Sequence, residues 1–113
     1  MFKFKKTETT AETTPQEVAR RLAQGEQLLV LDVRQPDEYA DAHVKDSRLI
    51  PLDQLALRLD ELPKDQEIVA ICRSGNRSGV ATGLLQRAGF RAINVKGGML
   101  AWQKHTLPVE RGA

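Results

Sequence analysis

A chain of 113 residues, 41% hydrophobic and 28% charged, has the make-up of one ordinary globular domain with a single core. Its 17 basic and 15 acidic residues are interspersed to a net charge of +2. Only Lys3, Lys5 and Lys6 cluster, so the pattern reads against nucleic acid as a partner, and no apolar run approaches the ~18 residues of a membrane span. Met1 to Lys6 is followed by Thr and Glu rather than an apolar stretch, which reads against a signal peptide. One Cys with two His forms no internal disulfide and no convincing metal site, and the expected home is a reducing cytoplasm.

Residues 1–13 are rich in Thr, Lys and Glu without periodicity and read as a flexible tail, which leaves 14–113 as the domain. Thr14-Pro15-Gln16-Glu17 has the form of a capping box that opens a helix with Val18, Ala19 and Leu22 on one face and Gly25 as its left-handed stop. Leu28 to Val33 is a nearly continuous apolar run, as expected of a strand buried on both faces of a parallel sheet. A short helix follows Pro36, with Asp37 and Glu38 in its first turn. Leu49-Ile50 is a minimal strand. Asp53 then caps an amphipathic helix carrying Leu55, Leu59 and Leu62 and closed by Pro63. Ile68 to Ile71 is a second buried strand that leads straight into Cys72. Val80, Ala81, Leu84, Leu85 and Ala88 mark the next helix, Gly89 stops it, and Ala92 to Val95 forms another strand. Gly97-Gly98 is a hinge before a last helix bearing Leu100 and Trp102. Strands alternate with helices, so the fold class is α/β with a central, mainly parallel sheet flanked by helices.

The chemistry concentrates in Cys72-Arg73-Ser74-Gly75-Asn76-Arg77-Ser78. Cys72 stands at the carboxyl end of a strand, where open parallel sheets bind their ligands. Gly75 and Asn76 both tolerate positive φ, so successive N–H groups can turn inward as an anion nest, joined by the N-terminus of the next helix. Arg73 and Arg77 add permanent charge and forked donors. All of these favour a thiolate, which makes Cys72 a reactive nucleophile rather than a small buried hydrophobe. The segment is no nucleotide-binding loop, because the lysine is missing. A thiol phosphatase uses the same parts with one residue more between Cys and Arg; here four separate Cys72 from Arg77. Asp32 and Arg34 are expected as an ion pair that ties loops together in support of the site. His43 is read as a hydrogen-bonded structural residue, Trp102, Met99 and Phe90 as core, and Ser78 as a helix cap.

Leu31-Asp32-Val33-Arg34, Pro36, Glu38-Tyr39, His43, the loop from Cys72 to Ser78, Gly89-Phe90, and Gly97-Gly98 with Ala101-Trp102 together resemble the rhodanese homology domain, over residues 14–109. The resemblance implies a rhodanese-like single domain. It also implies that Cys72 takes sulfane sulfur from a donor such as thiosulfate, holds it as a persulfide within the amides of Arg73, Ser74, Gly75, Asn76 and Arg77, and yields it to a thiol or to cyanide. No cofactor is implied. The partners are a small sulfur donor and a thiol acceptor or acceptor protein, since a lone Cys has no internal resolving thiol. Some domains of this kind are binding modules without catalysis, which is the alternative function. The family pattern Gly-His-Ile-Pro-Gly-Ala is replaced by Ala42-His43-Val44-Lys45-Asp46-Ser47, which puts the turn geometry there in question.

Overall fold

The computed structural model describes residues 11–112. Five strands, β1 (Glu12–Thr13), β2 (Leu28–Asp32), β3 (Arg48–Leu49), β4 (Glu67–Ile71) and β5 (Ala92–Val95), form one sheet in the order β1-β5-β4-β2-β3. Every pairing is parallel, and the long central pair runs in register from Leu28↔Glu67 to Asp32↔Ile71. The expected α/β architecture is the one observed. Its sheet begins two residues before the expected domain boundary, because Glu12 and Thr13 pair with Asn94 and Val95; residues 1–10 of the proposed tail lie outside the described residues.

The helices are α1 (Pro15–Ala23), α2 (Pro36–Asp41), α3 (Leu52–Leu55), α4 (Asn76–Arg87) and α5 (Gly98–Lys104), with a 3-10 turn at Leu59–Glu61. Successive strand side chains point to opposite faces, so each central strand feeds two cores. Leu31 and Ile68 join Leu55, Leu62, Ala81, Leu85 and Phe90 on the face covered by α3 and α4. Val30, Val69 and Ile71 join Val18, Val95, Met99 and Trp102 on the face covered by α1 and α5. Cys72 continues the parity of Ile68 and falls in the first group. Strand alternation thus aims its sulfur at the side where α4 begins.

Two local readings are corrected. Thr14 Oγ1 accepts the Glu17 amide as expected, but the Glu17 carboxylate does not close the box and instead binds Arg20. The single amphipathic helix opened by Asp53 is broken. A four-residue helix with Pro51 at its cap is followed by a turn at the exposed Leu57 and then by the 3-10 turn. Isolated helices this short are unstable in water, and these turns are held by the burial of Leu55 and Leu62 and by the Arg48 guanidinium on the Glu61 carbonyl.

Candidate active site

Ile71 ends β4, and the chain turns at once. Gly75 takes φ +105 and caps α4, which starts at Asn76. Only Gly75 of the expected Gly75-Asn76 pair adopts a left-handed conformation; Asn76 is already helical. This curls the loop around Cys72 Sγ, which accepts hydrogen bonds from Gly75 N at 3.1 Å, Ser78 N at 3.3 Å and Ser78 Oγ at 3.2 Å. Cys72 is 1% exposed, so its sulfur lies almost wholly enclosed. Burial pushes the thiol up, but the Ser78 hydroxyl and amide and the amides of Gly75 and Ser74 outweigh it and hold the thiol below its ordinary value.

The loop is held from beneath. Gly97 and Gly98 have positive φ, which lets the first amides of α5 reach the loop backbone: Met99 N donates to the Cys72 carbonyl at 2.8 Å and Leu100 N to that of Arg73 at 3.0 Å. A Cβ on Gly98 would stand 2.6 Å from the Arg73 carbonyl oxygen and closer still to that of Cys72. Glycine is therefore required there by close approach as well as by φ.

Arg77 does not aim its charge at the sulfur. Its guanidinium forms two 2.8 Å bonds to the Glu38 carboxylate, and this pairing raises the Arg77 pKa. Glu38 is itself oriented by the capping box of α2, in which it accepts the Gln35 amide at 2.9 Å. The Arg77 guanidinium, reinforced by that amide, lowers Glu38 to about 2 despite partial burial. Arg73, Ser74 and Asn76 are exposed at the rim.

Asp32 and Arg34 pair with each other beside the loop. Asp32, wholly buried, accepts Arg34 Nε at 2.9 Å and Nη2 at 2.8 Å, and Arg34 also reaches the Ala42 carbonyl at 2.7 Å. His43 stacks on Tyr39 with ring centroids 3.8 Å apart and bonds its carbonyl through Nδ1. In the altered 42–47 turn, Asp46 adopts φ +64 where the family pattern has glycine, a conformation that Asp tolerates better than most residues. Trp102 is buried and donates to the Pro108 carbonyl, as a core residue.

Three residues of the site are not among the expected ones. Ser78 is not a cap, for its hydroxyl turns inward to Cys72. Asn94 lies buried on β5 between Ser78 and Gly75. Glu38 holds Arg77. Of these, Asn94 carries a signal in the sequence: it is a polar residue inside an apolar strand and shares the parity of Ala92, which faces the α4 side. Among the described residues, no group of three or more His, Cys, Asp or Glu could hold a metal ion, and no helix is long and apolar enough to cross a membrane.

Residues 14–105 match the family model of the rhodanese-like domain. The chain belongs to the rhodanese-like family. It is 37% identical over 99 residues to a sulfurtransferase of Allochromatium vinosum, covering 87% of this chain and 92% of that one. It is 39% identical over 83 residues to a putative sulfurtransferase of Bacillus subtilis, covering 74% and 81%. Among solved structures, it superimposes on a rhodanese-related protein of Thermoplasma volcanium with TM-score 0.83 at 28% identity, over 88% of this chain and 97% of the other. A rhodanese-like domain protein of Staphylococcus aureus matches with the same score and identity, over 92% and 100%.

Proposed function

We propose that this rhodanese-like protein is a sulfurtransferase that takes sulfane sulfur from thiosulfate onto Cys72 as a persulfide and passes it to a thiol, or to cyanide in the assay. The observation that carries this reading is the ring of donors from Gly75 and Ser78 closed on one buried sulfur. Adding a second sulfur extends Sγ by about 2 Å toward the mouth, where loop amides and the helix N-terminus favour an anion. The names of the Allochromatium and Bacillus relatives support the same class of reaction.

The ion pair of Arg77 with Glu38 argues against phosphoryl chemistry on this loop. A phosphoryl group needs forked donors free to clamp its peripheral oxygens, and here that guanidinium is already engaged. Arg73, exposed at the rim, is the charge that meets an anionic donor. The single cysteine leaves the acceptor to be a small thiol or another protein in the reducing cytoplasm where such a thiol survives.

The test is intact mass after thiosulfate, together with thiosulfate:cyanide turnover. The expected result is one added sulfur on the wild type, turnover abolished in Cys72→Ser, and negligible hydrolysis of aryl phosphates. Absence of any persulfide on folded wild-type protein with every donor tried would overturn the reading in favour of a binding module.

A further inference from the structure

Ser78 is wholly buried in the first turn of α4, and its hydroxyl lies between two acceptors. Its Oγ is 3.2 Å from Cys72 Sγ and 2.6 Å from Asn94 Oδ1. A hydroxyl has one proton and serves one of them at a time. The orientation of Asn94 is set on its other side, where Nδ2 donates to the Gly75 carbonyl at 3.2 Å and leaves Oδ1 facing Ser78. Asn94 pairs in register with Ala70, two residues before Cys72, so the strand itself places this amide beside the sulfur. Of the charged groups near the cradle, Arg77 is paired with Glu38 from α2 and Arg34 with Asp32 from β2, while Arg73 is exposed at the rim.

Which acceptor wins depends on where the negative charge sits. A thiolate draws the proton, because hydrogen bonds to ionised acceptors are roughly twice as strong as neutral ones. Once Sγ carries a second sulfur, the charge resides on the terminal sulfur and Asn94 Oδ1 becomes the better partner. Without Asn94, the buried hydroxyl would then have no acceptor, at the cost of an unsatisfied polar group.

We propose that Ser78 is a catalytic donor that changes partner during the cycle, with Asn94 as its positioning residue. The inference rests on the sulfur-transfer reading. In the first step the Cys72 thiolate attacks the sulfane sulfur of thiosulfate, the S–S bond breaks, and sulfite leaves with the electron pair; the Ser78 proton moves from Sγ to Asn94. In the second step the acceptor thiolate or cyanide attacks the terminal sulfur, the bond to Sγ breaks, and the electron pair returns to Sγ. Ser78 turns back to meet that charge. One sulfur atom moves, total charge is conserved in each step, and no oxidant or reductant is consumed. Because a less basic thiolate leaves faster, the donor acts chiefly on discharge.

Ser78→Ala, Asn94→Ala, the double variant and the hydroxyl-preserving Ser78→Thr test this. The readouts are the pH midpoint of iodoacetamide alkylation and single-turnover loading from thiosulfate and discharge to cyanide, followed by intact mass. Ser78→Ala is expected to raise the midpoint. Above both midpoints it should load at close to the wild-type rate and discharge roughly tenfold more slowly, the loss expected for one charge-assisted hydrogen bond. Ser78→Thr should keep both rates within a few fold. Asn94→Ala should move the midpoint when Ser78 is present and leave it unmoved in the Ser78→Ala background. An unchanged midpoint in Ser78→Ala, equal slowing of loading and discharge, or additive shifts in the double variant would overturn the proposal. If the wild type accepts no sulfur, the sulfur-transfer reading fails and the leaving-group role with it, while the alkylation midpoints still decide the donor at Sγ. Should Ser78→Ala not fold, Asn94→Ala carries the test alone: an unchanged midpoint together with an unchanged ratio of discharge to loading is the overturning result.

Discussion

Glu38→Gln removes the charge that holds Arg77 while keeping the shape of the side chain. In the native protein the Glu38 pKa falls from 4.5 to about 2, with the Arg77 guanidinium as the largest cause and the Gln35 amide as a second favourable one. At 1.36 kcal/mol per pH unit this corresponds to an upper bound of about 3 kcal/mol. The Glu38 and Arg77 side chains are 26% and 36% exposed, so solvent screening reduces the expected contribution to about 1–2 kcal/mol. The sign follows from the direction of the shift. A carboxylate whose pKa is depressed on folding stabilises the protein above its unfolded value, and that stability is lost as pH falls from 4.5 to about 2. Urea unfolding of wild type and Glu38→Gln should show a gap of about 1–2 kcal/mol at pH 7 that closes toward the acid end of this window, where Glu38 becomes as neutral as Gln. A gap that stays constant with pH, or none at pH 7, would refute the argument that this ion pair ties α2 to the active loop.

Other variants address the remaining supports. Gly98→Ala forces its Cβ against the carbonyls of Cys72 and Arg73 at φ +57 and should cost about 2–3 kcal/mol in chemical unfolding along with most sulfur-transfer activity; wild-type values of both would show that the loop has room to shift. Arg34→Met leaves Asp32, 0% exposed, as an unpaired buried charge, and a loss of about 3–5 kcal/mol is expected. A loss below about 1 kcal/mol would mean that Asp32 is otherwise satisfied. Alkylation of the wild-type protein should follow a pH midpoint below that of an ordinary cysteine, since the donors at Sγ outweigh burial. A midpoint at or above the ordinary value would show that burial wins.

The amino-acid sequence by itself determined the α/β class, the position of the lone cysteine at the end of a buried strand and the glycines that shape its loop. Those features depend on local properties: apolar runs bounded by turn residues, Pro at helix starts, and backbone freedom at Gly75, Gly97 and Gly98. The ion pair of Asp32 with Arg34 was legible for the same reason, because its two members are near neighbours. The tertiary structure alone decided what each polar side chain faces. Arg77 stands in a loop that invites an anion, yet its charge is taken by Glu38 from a helix 39 residues away in sequence. Ser78 sits where a cap is expected, but Gly75 caps the helix and frees the serine hydroxyl to turn inward. Asn94 gains its place only when β5 settles in register against β4. A side chain's partner depends on which strands and helices pack side by side, and no local pattern of residues encodes that neighbour.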